Sequence, residues 1–206
     1  TRDGQTAAGL ATSLPVGEMS YTPYPGSSAA KPMYSVVEPP FARRGLLSAA
    51  GTRWCYVWTG GSELVCGGVS ADSLRVALDT ARVAPVSDTM FIAHLEATQQ
   101  LNVLPADRKN QIRELRKLWT HSTLPRWSAM IVDPEERVWL QRFRSPFDSL
   151  EQLTVVDHGL HPIGKFSIEA GWKIVAARGE HAVIWREDGN GSEVRVVRVG
   201  PAPSNP

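Results

Sequence analysis

The chain has 206 residues, 42% of them hydrophobic and 21% charged, the make-up of a globular protein large enough to bury a core without staples. Its 22 basic and 21 acidic residues leave a net charge of +1, which argues against a general nucleic-acid binder, because such proteins carry a basic excess. No apolar run approaches the ~18 residues a membrane span needs, and no signal peptide is visible at Thr1.

Residues 1–45 are dominated by Pro, Gly, Ser and Ala and hold no long helical or strand period. Pro lacks an N–H and biases the residue before it toward extended conformations, so this segment reads as an extended N-terminal arm. A disordered tail is the alternative. The interleaved aromatics suit a strap lying on another surface, and they make Tyr21, Tyr24, Tyr34 and Phe41 candidate partner-binding residues.

The remainder, 46–206, reads as one domain. Its first part carries about three strands. The runs "TRWCYVW" and "SELVCGG" flank Gly60-Gly61, a hairpin signal, and "DSLRVALDTARV" follows. A two-residue turn at Gly60-Gly61 makes partner numbers sum to 121, which sets Cys55 opposite Cys66, the only two cysteines. Counting from that turn puts them at a hydrogen-bonded pair, the wider kind. The pair reads either as a disulfide of a protein folded in an oxidising compartment or as two small buried thiols.

The period then changes, and a helical insertion is expected over 87–123. Ser87 or Asp88 caps a first helix carrying Phe91, Leu95 and Thr98. Pro105 and Asp107 open a second, with Ile112, Leu115 and Leu118 on one face. Arg108, Lys109, Arg113, Arg116 and Lys117 occupy much of its remainder. They form a face for phosphate or acidic lipid, or a plain solvated face.

After Pro125 the strands return as "SAMIVD", "RVWLQRF", "QLTVVD", "PIGKFSI", "WKIVAAR", "HAVIWRE" and "SEVRVVRV", one about every ten residues between polar corners. That spacing indicates an antiparallel sandwich, barrel or propeller. Asp133 and Pro134 fit the first two positions of a type I corner. Asp133 and Asp157 are expected to accept backbone N–H bonds in corners rather than to do acid–base work.

The segment from "LPRWSAMIVDPEERVWLQRF" to "SEVRVVRV" resembles the C-terminal blades of bacterial six-bladed β-propeller proteins of the TolB-like and NHL-like kind. Asp133, Val138 and Trp139 match one part of the pattern, and Val155, Asp157, Gly159 and Gly164 match a second approximately. The insertion before "LP" has a counterpart between blades in such proteins. Glu136 stands where those proteins usually carry Gly. The resemblance implies a mainly β fold, a partial propeller of antiparallel sheets with a helical insertion and an extended arm. The strands amount to two or three blades, too few for the four to eight of a closed ring, so a piece of a larger protein or a partial ring completed by partners is expected.

The sequence carries no nucleophile elbow, phosphate loop, zinc-protease helix or dinucleotide fingerprint. His158 and His161 span a β corner, which reads as a solvated turn rather than a metal site, and "EDGNG" at 187–191 reads as a hairpin turn rather than a calcium loop. No catalytic residue, cofactor or metal is therefore expected. The functional expectation is a non-catalytic, extracytoplasmic (periplasmic) scaffold that binds other protein subunits. Its setting would be the extramembrane face of a bacterial respiratory or photosynthetic membrane complex, with peripheral association and no transmembrane segment. The alternative is the C-terminal part of a ligand- or carbohydrate-binding propeller, a lyase or hydrolase.

Overall fold

A computed structural model describes residues 17–23, 34–68, 73–78, 83–98, 106–119, 121–188 and 191–198. The described chain is mainly β. Strands β3 (Gly45–Ala50), β4 (Arg53–Trp58), β5 (Glu63–Gly67) and β6 (Leu74–Ala77) form a four-stranded antiparallel meander, sheet I. After helices α1 (Asp88–Ala97) and α2 (Arg108–Leu118), sheet II follows with β7 (Trp127–Val132), β8 (Val138–Arg142), β9 (Leu150–Val156) and β10 (Pro162–Glu169). Sheet III holds three strands, β11 (Lys173–Arg178), β12 (His181–Asp188) and β13 (Gly191–Arg198). Adjoining sheets approach most closely at their first strands, with β7 beside both β3 and β11.

Two expectations are corrected at the N-terminal end. The arm was read as extended with no long strand period, yet β1 (Ser20–Pro23) and β2 (Tyr34–Val37) pair antiparallel as regular strands, with Tyr21 opposite Val36 and Pro23 opposite Tyr34. The β-prone run Tyr34–Val37 favours extended backbone, and each strand satisfies the other's polar groups. Sheet I also has four strands, not three. The additional one is β3, whose sequence GLLSAA lacks the aromatic and β-branched residues that mark a strand. The ladder β3–β4 begins at Gly45–Trp58, and Gly17 bridges Arg44 just outside it. Tyr24 lies outside the described residues.

Sheet II is covered on both faces, and β8 shows how. Successive strand residues point to opposite faces. Val138 and Leu140 enter a core with Cys55, Val57 and Leu64 of sheet I and Leu160. Trp139 enters a second core with Ile174, Ala177 and Ala182 of sheet III. This double burial matches three successive apolar residues, Val138, Trp139 and Leu140, where a strand buried on one face would alternate.

The insertion is closed at its base. Val86 N donates to Ser122 O (2.9 Å), Leu124 N donates to Ala84 O (3.2 Å), and Pro85 bridges Thr123. The Ser87 side chain accepts from Met90 N and caps α1. Asp107 precedes α2 without a side-chain capping bond. Phe91 and Leu95 sit in a third core with Phe41 and Leu124, and Ile112 and Leu115 of α2 pack against it. The basic residues of α2 face solvent and are largely neutralised within the insertion. Arg108 pairs with Glu96, Arg116 with Asp88, and Lys117 with Glu114. That arrangement is the solvated reading of this face.

Candidate functional site

Three features of the described residues bear on function: the corners, the sheet faces at the ends of the stack, and a cleft under the insertion.

The two Asp corners are copies of one design. At β7–β8, Glu136 N donates to Asp133 O (2.9 Å), Asp133 N to Arg137 O (3.0 Å) and Arg137 N to Asp133 Oδ1 (2.9 Å). At β9–β10, Leu160 N donates to Asp157 O (3.0 Å), Asp157 N to His161 O (3.0 Å) and His161 N to Asp157 Oδ1 (2.8 Å). In both, the fourth residue has positive φ, 60° at Glu136 and 65° at Leu160. A type I turn followed by a left-handed residue is a common three-residue hairpin connection. Glu136 therefore adopts the backbone conformation that Gly would take more cheaply, by roughly 1–2 kcal/mol. Both Asp residues serve the backbone. Asp133 is also buried and accepts from Trp139 Nε1 (2.9 Å) and Arg137 Nε (2.7 Å), while Arg137 reaches Gly179 O (2.8 Å) in the β11–β12 corner. The Asp157 carboxyl is held below the usual range by the His161 N–H bond.

His158 and His161 stay on the exposed β9–β10 corner. His158 Nδ1 lies 2.7 Å from both Arg53 Nη1 and Glu136 Oε2. One ring nitrogen cannot accept from the first and donate to the second at once, so the tautomer of the ring sets which contact holds. Among the described residues no three metal-ligating side chains converge.

Sheets II and III are joined at the far end by a polar clasp that the sequence did not advertise. The buried Gln141 side chain donates to Glu151 Oε2 (3.1 Å) and Trp172 O (2.9 Å) and accepts from Ile174 N (3.1 Å). Glu151 also accepts from Arg144 Nε (2.8 Å) and Gly171 N (3.0 Å). Arg186 and Arg195 each lie 4.6 Å from the buried Trp172 ring.

Cys55 faces Cys66 in the β4–β5 ladder, with Sγ atoms 2.05 Å apart. The expected turn and pair type are corrected. Gly61 N donates to Trp58 O (2.8 Å), so Thr59 and Gly60 form the corner. Thr59 is drawn toward β3 instead of facing Ser62. Its N–H donates to Arg44 O (2.9 Å), and its Oγ1 accepts from Arg44 N (2.8 Å). The ladder's phase moves by one, and the cysteine Cα atoms stand 4.1 Å apart, the narrow spacing of a non-hydrogen-bonded pair.

The ends of the stack are unlike its middle. On sheet III, Ala182 and Ile184 face sheet II, so their neighbours Val183 and Trp185 face away, opposite Val196 and Val194. Val194 and Val196 are 61% and 68% exposed, and Val175 is exposed on β11, across β12 from them. Beyond β13 no strand is paired among the described residues, which leaves an eight-residue edge. On sheet I, Trp54, Tyr56 and Trp58 face away from sheet II, with Leu47 66% exposed nearby.

The cleft lies between the insertion and the first strands of sheets I and II, with a volume of about 360 Å³. Phe41, Phe143 and Trp127 are among its walls, with His94, Glu38 and Arg44. Phe41 was expected to meet a partner; it is instead buried in the chain's own core, stacked on His94 with centroids 4.1 Å apart. Ala42 N donates to Pro39 O (3.0 Å) with Phe41 φ at 57°, so Phe41 holds the turn position that favours Gly. Burial pushes the His94 imidazole below its ordinary pKa, which keeps the ring neutral.

The chain matches no known protein family, no curated protein and no solved structure.

Proposed function

We propose that this chain is a non-catalytic scaffold, a propeller-like stack of three sheets that binds other protein subunits. The reading is carried by the outer face of sheet III. Where one sheet meets the next, apolar residues are buried; Val175, Val183, Trp185, Val194 and Val196 form a similar face with no sheet over it among the described residues. Among the described residues sheet III has three strands where sheets I and II have four. An open apolar face beside a long free edge favours pairing with another polypeptide. The expected partner is a protein subunit presenting a strand and an apolar sheet surface. The setting we favour remains extracytoplasmic, on the extramembrane face of a bacterial membrane complex, in keeping with the Cys55–Cys66 bond. No helix among the described residues is long and apolar enough to cross a membrane.

Sedimentation velocity over a range of concentrations tests the open face. The chain alone should self-associate, and V194K/V196K should sediment as a monomer with an unchanged melting profile. A wild-type chain that is monodisperse, monomeric and cooperatively melting at every concentration overturns the proposal.

A further inference from the structure

The pair Asp188–Gly191 encloses only two residues, so it is a hydrogen-bonded pair, and such pairs alternate with non-hydrogen-bonded ones along the ladder. Gly191, Glu193, Arg195 and Val197 therefore bond to β12. Ser192, Val194, Val196 and Arg198 turn their N–H and C=O groups to the open edge, where no strand is paired among the described residues. A second copy can add to such an edge about a two-fold axis normal to the sheet. The two strands then run antiparallel, and residues directly opposite share a face, so the axis passes through a residue. An axis at Glu193 or at Arg195 sets that charge against itself, and like charges directly opposite are destabilising. An axis at Val196 sets Arg195 opposite Val197. Of the axes between Ser192 and Val197, only one at Val194 sets Glu193 of each copy opposite Arg195 of the other. That register also agrees with the bonding phase. Ser192, Val194 and Val196, whose backbone groups are free, meet at hydrogen-bonded pairs, and the charges fall at the closer non-hydrogen-bonded pairs.

We propose that the strand received by sheet III is β13 of a second copy, paired antiparallel about Val194. This deepens the reading above and rests on the open edge that carries it. The pairing joins the three strands of each copy into one six-stranded sheet. On the outer face Val194 meets its own copy, and Val196 meets Ser192. On the opposite face each Glu193 already accepts from its own Arg186 Nη2 and Arg195 Nε, both at 2.6 Å, so the contact with the second copy's Arg195 carries an existing row of charges across the axis.

Sedimentation velocity on the full chain, with Glu193→Lys and Arg195→Glu as variants, tests the register. Each variant alone places like charges opposite each other at both contacts, so its dimer should be about 10-fold weaker than that of the wild type. In an equimolar mixture of the two variants, opposite charges face each other at both contacts, and dimer should return to about the wild-type level. Unchanged melting of each variant would show the fold intact, and a fold defect could not be repaired by mixing. Variants that each dimerise like the wild type, or a mixture that associates no more tightly than the variants alone, overturn this inference and leave the open-face reading standing. A wild-type chain that is monomeric at every concentration overturns both.

Discussion

Asp133 and Asp157 perform one task in two environments, and the difference in burial sets what each contributes. Asp157 serves an exposed corner that water can also satisfy, so Asp157→Ala should be the milder loss of the two. Asp133→Ala should cost about 2–4 kcal/mol, because it leaves the buried Trp139 indole N–H and the Arg137 backbone N–H without their acceptor, while the Arg137 guanidinium keeps Glu135 and Gly179 O. Chemical denaturation of the two variants checks the ranking, and equal losses would refute it. At Glu136, relief of the left-handed backbone, offset by the extra entropy that glycine loses on folding, makes Glu136→Gly stabilising by up to about 1 kcal/mol. That corresponds to a rise in Tm of about 2–4 °C, readable by calorimetry. These corner roles were legible in the sequence because Asp-Pro and Asp-His-Gly are local turn signals. Gln141 was not legible. Its partners Trp172 and Ile174 are some thirty residues away, and nothing in "VWLQRF" distinguishes a buried amide from a solvated one.

Helix α1 brings a titratable ring into an apolar setting, with a consequence for pH. His94 stacks on Phe41 and faces Phe143, while the nearest charges lining its cleft are Glu38 and Arg44. Its pKa is lowered by burial, so below the ordinary value near 6.5 the unfolded chain binds the proton that the folded chain resists. The contribution of His94 to stability is thus complete above about pH 6.5 and is lost as pH falls below it. Melting of His94→Gln should lack this loss between about pH 6.5 and pH 5, and a parallel slope in both proteins would refute it. Both helices and the seven strands after Pro125 could be read from hydrophobic period and turn residues. Strands β1 and β3 could not, and the β-prone run of β2 was passed over inside the Pro- and Gly-rich arm. Ser20–Pro23 is four residues long and ends in Pro, and Gly45–Ala50 has no aromatic or β-branched residue, so only pairing with a neighbour makes them strands.

Sheet II is the keystone of the described structure, since both its faces are buried and each core is shared with another sheet. The sequence showed a string of strands but not their stacking, because face assignment depends on which sheet lies opposite. The three successive apolar residues Val138, Trp139 and Leu140 of β8 were the one local clue. Stability should therefore grade outward from β8. The β8 strand is central in the central sheet, and Val138, Trp139, Leu140 and Gln141 are all buried. Strand β13 has one bonded neighbour, and the β1–β2 pair is a separate two-stranded sheet. Native-state hydrogen exchange should find the slowest amides in β8 and its partners β7 and β9, opening only with global unfolding. Amides on the free edge of β13 and in β1–β2 should exchange through local openings at much lower free energy. Partner binding on sheet III would then raise protection in β13 first, with little change in β8, whose amides already report the global limit. Equal protection of β8 and β13 in the free chain would contradict this hierarchy, because a free edge cannot hold its amides as tightly as a strand bonded on both sides and buried on both faces.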